Sequence, residues 1–144
     1  MKQETAALTL IDKVLCLQNV DIFKHVTTEM LGYIATIAHE IEAERTQTIF
    51  SEEDVSDAMY VVVKGCVQLA KKEQEVMTVT AGQSFGTWAL FDNQPRVMTA
   101  QALENVQLLK IRSEEFYDLL SDHDEITPAM FRAVVKNLKR LVAE

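Results

Sequence analysis

Apolar residues recur at two different periods along the chain. Within residues 8–17 and 28–43 they return every three or four positions, which is the spacing of one face of a helix. The same spacing returns after residue 111. There Ser113 is a suitable N-cap, and Thr127 followed by Pro128 is a second start signal. We therefore predict an N-terminal helical part over residues 1–45 and C-terminal helices over residues 113–144.

Between residues 46 and 112 the apolar pattern changes to short β runs. These runs are rich in Val, Ile, Thr, Tyr and Leu, and polar or Gly-containing connectors separate them. The predicted strands are residues 48–50, 58–63, 66–71, 76–80, 98–102 and 106–111. No helix between them is long enough for a parallel crossover. The sequence predicts one domain over residues 1–144, mainly β with flanking helices, built on an antiparallel jelly-roll β-barrel that closes its own edges.

Composition adds limits on the class of protein. Apolar residues make up 48% and charged residues 25% of the chain, which indicates neither disorder nor a membrane protein. The N-terminus lacks the pattern of a secretory signal, so we expect a cytoplasmic address. A net charge of −8 argues against direct nucleic acid binding, and the basic Lys136, Lys139 and Arg140 suit the end of a helix. Cys16 and Cys66 are predicted to be two core thiols.

Catalytic chemistry is not indicated by the sequence. His25, His39 and His123 fall in helical or turn segments and do not form the close strand pair of a jelly-roll metal site. The acids at 52–54 are typical of a hairpin loop. A cupin-like metalloenzyme is thus the weakest of the functions considered, and we expect no enzyme activity and no metal.

One stretch, residues 84–100, has the features of an anion site. An apolar run leads into Gly86, a short helical turn follows, and a polar loop leads to Pro95 and Arg96. Glycine permits close backbone approach, the first amides of a helical turn point outward, and arginine binds two oxygens of a phosphate at once. Arg96 is either this anion ligand or an exposed loop arginine.

Two longer patterns carry a family resemblance. Residues 48–54 are TIFSEED and residues 57–67 are DAMYVVVKGCV; residues 85–90 are FGTWAL and residues 95–99 are PRVMT. In this order they resemble the cyclic-nucleotide-binding domain family, with its I-F-x-E-G-D, D-x-x-Y-x-V-x-x-G-x-V, F-G-E-x-A-L and P-R-x-A-T signatures. The resemblance implies a jelly-roll fold and a phosphate-binding cassette, here called the cassette, at residues 84–100. The implied ligand is cyclic AMP or a related cyclic nucleotide or anion.

The resemblance also assigns roles to individual cassette residues. Arg96 pairs with the phosphate, Gly86 permits its approach, and the amides near Ala89 and Val97 are further donors. Thr87 replaces the glutamate that accepts a hydrogen bond from the ribose. Its hydroxyl is either a neutral ribose contact or a solvated or helix-capping group. Loss of the charged contact predicts affinity lower by roughly tenfold.

Other departures concern space and backbone geometry. Val97 stands where a small residue is usual, and we expect it to crowd the phosphate or the base. Met98 also replaces a small residue, and Trp88 is expected to pack or to form a partial lid. Glu53 replaces a turn glycine, which predicts strain if that position has a positive φ.

Two functions remain open from the sequence. The first is a regulatory ligand-sensing module with weak or altered nucleotide affinity. The alternative is a degenerate, non-binding module, its pocket filled by side chains such as Trp88 and Val97, used for dimerisation or docking. The helix over residues 128–142 is either core or a homodimer contact, since Phe131, Val135, Leu138 and Val142 form one stripe. No helix-turn-helix pattern follows, so we expect any effector domain to lie outside this chain.

Overall fold

A computed structural model of the chain describes residues 7–142. The four helices are α1 (Leu10–Leu17), α2 (Thr28–Thr36), α3 (Ser113–Asp122) and α4 (Ile126–Val142). The eight strands are β1 (Ala38–Ala43), β2 (Thr48–Phe50), β3 (Ala58–Lys64), β4 (Cys66–Lys71), β5 (Gln74–Thr80), β6 (Ser84–Phe85), β7 (Thr99–Ala102) and β8 (Val106–Arg112). Two short 3₁₀ turns, Asp21–Phe23 and Thr87–Leu90, complete the described elements. The ends of the predicted domain, residues 1–6 and 143–144, lie outside the described residues.

The strands form two four-stranded antiparallel sheets rather than one closed barrel. One sheet has the order β1-β8-β3-β6 and the other has the order β2-β7-β4-β5. The prediction of an antiparallel jelly roll is confirmed, but the prediction that the barrel closes its own edges is wrong. Each sheet keeps two edge strands, because β1 and β6 do not pair with β2 and β5. The domain is therefore a jelly-roll-like sandwich with helices on one side.

Strand β1 lies where the sequence predicts the second half of a helix. Helix α2 ends at Thr36, and residues 38–43 pair with β8 from Ala38 opposite Ile111 onward. Ile37 and Ile41 are four residues apart, which satisfies a helical period, while the intervening polar residues also satisfy strand alternation. Pairing with β8 decides between the two patterns. The predicted N-terminal part, residues 1–45, is thus helical only up to Thr36 within the described residues.

The buried apolar side chains form two clusters on opposite faces of β3. Met59 and Val61 face the helices, where they join a cluster that includes Phe116. Tyr60 and Val62 face the interior between the two sheets. Because β3 alternates and both of its faces are buried, its residues join the helical layer to the sandwich interior. The cassette lies beside this strand, since β6 pairs with β3 at Tyr60.

The first residues of α3 and α4 differ slightly from the predicted starts of these helices. Ser113 is the first residue of α3, not its N-cap, and its hydroxyl donates to the Asp57 carbonyl oxygen at 3.1 Å. Helix α4 begins at Ile126, so Thr127 and Pro128 lie in its first turn. Both cysteines are partly buried free thiols.

Candidate functional site

The cassette turns sharply at Gly86. This residue has φ +67° and precedes the 3₁₀ turn Thr87–Leu90, after which a loop leads to β7. A Cβ placed on Gly86 would lie 2.7 Å from Nη1 of Arg96 and 3.3 Å from the carbonyl oxygen of Ala58. Glycine therefore suits this position for two reasons, the left-handed backbone and the close approach of the Arg96 side chain.

A cavity of about 560 Å³ opens beside the cassette. Its volume falls in the usual range for small-molecule sites. Most of its lining side chains are apolar, and Arg96 is the one cation among them. The lining comprises Phe50, Ser56, Leu69, Met77, Ser84, Phe85, Gly86, Thr87, Trp88, Asp92, Gln94, Pro95, Arg96, Val97 and Met98. The structure thus brings the sequence-predicted Gly86, Thr87, Arg96 and Val97 to one cavity.

The Arg96 side chain is turned inward rather than exposed in a loop. Its side chain is only 4% exposed. Nη2 donates to the Ala58 carbonyl oxygen at 2.6 Å, and Nη1 donates to the Gly86 carbonyl oxygen at 3.3 Å. The exposed-loop alternative for Arg96 is therefore wrong. The residue lines the cavity, but its guanidinium is already hydrogen-bonded to the protein's own backbone.

The surroundings of Arg96 balance its charge only in part. Its guanidinium carbon lies 4.0 Å from the centre of the Phe50 ring, in a cation–π contact. The nearest carboxylate oxygen is that of the exposed Asp57, at 3.9 Å from Nη2. Burial lowers the pKa of Arg96, while nearby Tyr60 and Asp57 act in the opposite direction. Nε is buried and has no hydrogen-bond partner among residues 7–142, so at least this donor of the guanidinium is unused.

Thr87 contacts another hydroxyl of the cassette. Its Oγ1 lies 3.1 Å from Oγ of Ser84, and both residues line the cavity. Ser84 was not among the predicted site residues, although it lies three positions before Thr87 in the cassette. The position of the family's glutamate is thus taken by a neutral pair of hydroxyls that accept and donate without charge.

The remaining predicted cassette groups differ in availability. The Ala89 amide donates to the Gly86 carbonyl oxygen at 3.2 Å within the 3₁₀ turn, so it is already used. Val97 is 59% exposed and Trp88 is 75% exposed. Neither side chain fills the cavity, which contradicts the specific expectation that these two residues occupy the pocket. Met98 is partly buried and packs against the sandwich interior.

The loop before β3 is bonded to the cassette through its backbone. The Glu53 amide donates to the Arg96 carbonyl oxygen, and the Arg96 amide donates to the Asp54 carbonyl oxygen, both at 2.8 Å. Glu53 has φ +73°, so this non-glycine residue adopts the left-handed conformation. The positive φ on which the predicted strain depended is confirmed.

His39 and His123 make local contacts. His39 contacts both carboxylate oxygens of Glu115, at 3.0 and 3.1 Å, and His123 stacks on Tyr33. Within residues 7–142 no group of three or more His, Cys, Asp and Glu side chains is placed to hold a metal ion. Over the same span no helix combines the length and apolar character needed to cross a membrane.

Comparison with known proteins gives related sequences that are parts of longer proteins. A CRP-like cAMP-activated global transcriptional regulator of Mycobacterium tuberculosis is 21% identical over 124 residues, which cover 83% of this chain and 55% of that protein. The cGMP-dependent protein kinase egl-4 of Caenorhabditis briggsae is 28% identical over 91 residues, covering 63% of this chain and 12% of the kinase. The chain thus spans about half the length of the first of these relatives and much less of the second.

Solved structures and a family model are also similar to this chain. The N-terminal domain of a transcriptional regulator from Streptomyces coelicolor A3(2) superimposes with a TM-score of 0.82 at 28% identity, covering 88% of this chain and 94% of that one. The sensor domain of the regulator DNR from Pseudomonas aeruginosa shares the fold, with a TM-score of 0.74 at 18% identity and 94% coverage of both chains. The model of the cyclic nucleotide-binding domain matches residues 40–123. With the jelly-roll sandwich, the cassette and its buried arginine in place, the chain belongs to the cyclic nucleotide-binding domain family.

Proposed function

We propose that this domain is a regulatory ligand-sensing module that binds cyclic AMP or a related cyclic nucleotide or anion with reduced affinity. One observation carries the proposal: an open cavity of about 560 Å³ has a single buried arginine in its wall. The names of two relatives, a cAMP-activated regulator and a cGMP-dependent kinase, support the class of ligand. No catalytic step and no nucleic acid contact form part of the proposal, which assumes a cytoplasmic address.

The reduced affinity follows from two features of the site. A phosphate that binds Arg96 meets a guanidinium that already donates to the carbonyl oxygens of Ala58 and Gly86. A hydrogen bond to a charged group contributes about 1.5–3 kcal/mol, so loss of even one such bond lowers affinity by at least about tenfold. Thr87 offers a hydroxyl where a carboxylate would make a charge-assisted bond, which removes a further contribution of similar size.

Thermal unfolding with millimolar cyclic AMP or cyclic GMP tests binding directly. A ligand at a hundred times its Kd stabilises the folded state by about 2.7 kcal/mol. NMR of the Arg96 Nε–H signal in the same titration reports whether the guanidinium is involved. Absence of any thermal shift and of any change at Arg96 with both nucleotides would refute nucleotide sensing.

A single substitution separates an open site from a degenerate one. Thr87→Glu places a carboxylate beside Ser84 at the wall of the cavity. If the site lacks only its sugar contact, Kd for cyclic AMP falls by roughly tenfold or more, because a charged hydrogen bond replaces a neutral one. Thr87→Gln, which has similar length but no charge, is the matched control. No gain with Thr87→Glu would favour the non-binding alternative.

The second candidate function, assembly of copies or docking of a partner, is favoured by α4. Its inner face is buried through Ile126, Ala129, Met130 and Ala133. On another side Phe131, Val134, Leu138 and Leu141 are exposed at spacings of three and four residues, with Leu141 84% exposed. Of the stripe described from the sequence, Phe131, Leu138 and Val142 are exposed, whereas Val135 is partly buried. This spacing suits a short parallel coiled coil between two copies.

Sedimentation velocity over a range of concentrations tests assembly without any ligand. If α4 pairs two copies, Leu138→Lys weakens the dimer strongly, because it places a charge in the apolar contact. Lys139→Gln, on the basic side of the same helix, is the control and leaves the dimer intact. A monomer at every concentration would rule out a homodimer through α4.

A further inference from the structure

The buried part of the cavity wall is apolar away from Arg96. Phe50 and Phe85 both line the cavity, and their ring centres lie 5.9 Å apart in the sandwich interior. Leu69 and Met98 extend the same surface. Aromatic rings offer a broad apolar contact, and the unbranched methionine side chain adapts to the shape of what it meets. A molecule in the cavity therefore meets mostly carbon at its inner end.

The outer part of the wall is apolar as well. Met77, Trp88 and Val97 line the cavity and are also exposed, with 75% of Trp88 accessible to water. A bound molecule that covers these side chains removes apolar surface from water, which favours binding in proportion to the apolar area covered. The gain is largest when the surface of the bound molecule is itself apolar.

The wall has few polar groups for a sugar or a purine. Oγ of Ser84 and Oγ1 of Thr87 lie 3.1 Å apart and pair with each other. Asp92 and Gln94 lie in the exposed loop, where the Asp92 carboxylate accepts from the Gln94 amide at 3.2 Å. Each polar atom of a ligand that leaves water needs a new partner. A ligand with polar groups around its whole body is therefore poorly matched to this wall.

The charge of the wall matches a single negative group. Arg96 is the one cation among the lining side chains, and its guanidinium is 4% exposed. A guanidinium binds the two oxygens of a planar carboxylate in parallel, which makes a strong and directional contact. A second negative charge on the ligand would stay unbalanced in the apolar cavity. The wall thus suits one carboxylate at one end of an apolar molecule.

We propose that the cavity binds a monocarboxylate with an extended apolar body, of the kind found in fatty acids. The carboxylate lies at Arg96, and the apolar body lies between the buried rings and the exposed Trp88. The inference rests on the proposed function, in which this cavity is the ligand site, and it narrows the class of ligand. The cassette departures agree with it, because Thr87 removes a charge while Val97 and Met98 add apolar volume.

Calorimetric titration with octanoate, butyrate and octanamide is the test. Each buried methylene group strengthens binding by about fourfold, so we expect octanoate to bind at least about tenfold more tightly than the shorter butyrate. Octanamide has the same chain without the charge, and we expect it to bind at least about tenfold more weakly than octanoate. This pair of ligands measures the contribution of charge without a substitution at the buried Arg96.

Two further measurements show where octanoate binds. Trp88 is the only tryptophan of the chain, so its fluorescence emission should shift to shorter wavelength when octanoate covers it. Val97→Asp places a like charge in the wall and is expected to weaken octanoate binding at least about tenfold. Ile11→Asp is the matched control, because Ile11 is a similarly exposed apolar residue of α1 outside the cavity wall. It should leave the Kd unchanged.

Several results overturn the proposal. One is that octanoate does not bind, and another is that it binds no more tightly than butyrate or octanamide. Binding without a change in the Trp88 emission places octanoate outside the cavity, and so does equal weakening by Val97→Asp and Ile11→Asp. Each of these results refutes an apolar monocarboxylate as the ligand of this site.

Cyclic AMP, added in a separate titration, distinguishes this inference from nucleotide sensing. If cyclic AMP binds and octanoate does not, the inference fails and the proposed function stands. If octanoate binds as expected and neither cyclic nucleotide shifts the thermal unfolding, nucleotide sensing fails and the monocarboxylate site stands. If both bind, octanoate should raise the apparent Kd of cyclic AMP, and simultaneous binding of the two overturns the inference.

Discussion

Replacing Gly86 by alanine tests the position of the buried arginine, and Gly82 offers a matched comparison. Both glycines have positive φ, +67° at Gly86 and +86° at Gly82. A Cβ on Gly82 meets its nearest atom only at 3.9 Å, whereas a Cβ on Gly86 lies 2.7 Å from Nη1 of Arg96. The two substitutions share the backbone penalty and differ in the contact with the arginine.

The expected free energies of unfolding follow from these contacts. A non-glycine residue in the left-handed region costs about 1–2 kcal/mol, and the lower entropy of the unfolded chain returns about 0.4–1 kcal/mol. Gly82→Ala is therefore expected to destabilise by about 1 kcal/mol. In Gly86→Ala the guanidinium must also move away from the Gly86 carbonyl, and loss of a charged hydrogen bond adds about 1.5–3 kcal/mol.

Urea unfolding of the two variants and the unsubstituted protein measures the difference. We expect Gly86→Ala to be less stable than Gly82→Ala by at least about 1.5 kcal/mol, with a changed NMR signal for Nε–H of Arg96 only in Gly86→Ala. Equal destabilisation of the two variants, with the Arg96 signal unchanged in both, would show that the guanidinium does not lie against Gly86.

Three further variants test strain and packing in the domain. Glu53→Gly relieves a positive φ of +73° and is expected to raise the free energy of unfolding by about 0.5–1 kcal/mol; a loss of stability would mean that the position is unstrained. In the β4–β5 hairpin Lys72 and Glu73 have φ +52° and +66°. Asn-Gly is the pair suited to such a turn, so the double variant Lys72→Asn, Glu73→Gly should have a higher melting temperature, and a lower one would contradict the turn geometry. Phe50→Leu removes the ring 4.0 Å from the guanidinium and should couple with Arg96→Met by about 0.5–2 kcal/mol in a double-mutant cycle, whereas additive effects would show no cation–π contact.

Local patterns in the sequence were sufficient for most of the fold. Alternation and turn residues predicted six strands, and all six are present with ends shifted by no more than two residues. Strand β1 and the two-residue β6 were missed. The first has a pattern that suits helix and strand equally, and the second is too short to show a period. Both become strands because β8 and β3 offer pairing partners, which is information that no local window contains.

The cassette likewise combines features that the sequence determines with one that only the tertiary structure determines. The sequence alone determined which residues form it: Gly86 for the turn, Thr87 in place of a carboxylate, and Arg96 after Pro95. Only the tertiary structure decided which way Arg96 points. Its inward position depends on the carbonyl oxygens of Ala58 and Gly86 and on the ring of Phe50, which come together when β3, β6 and β2 pack into one sandwich. A buried guanidinium needs partners for its donors, and those partners lie as many as 38 residues away along the chain.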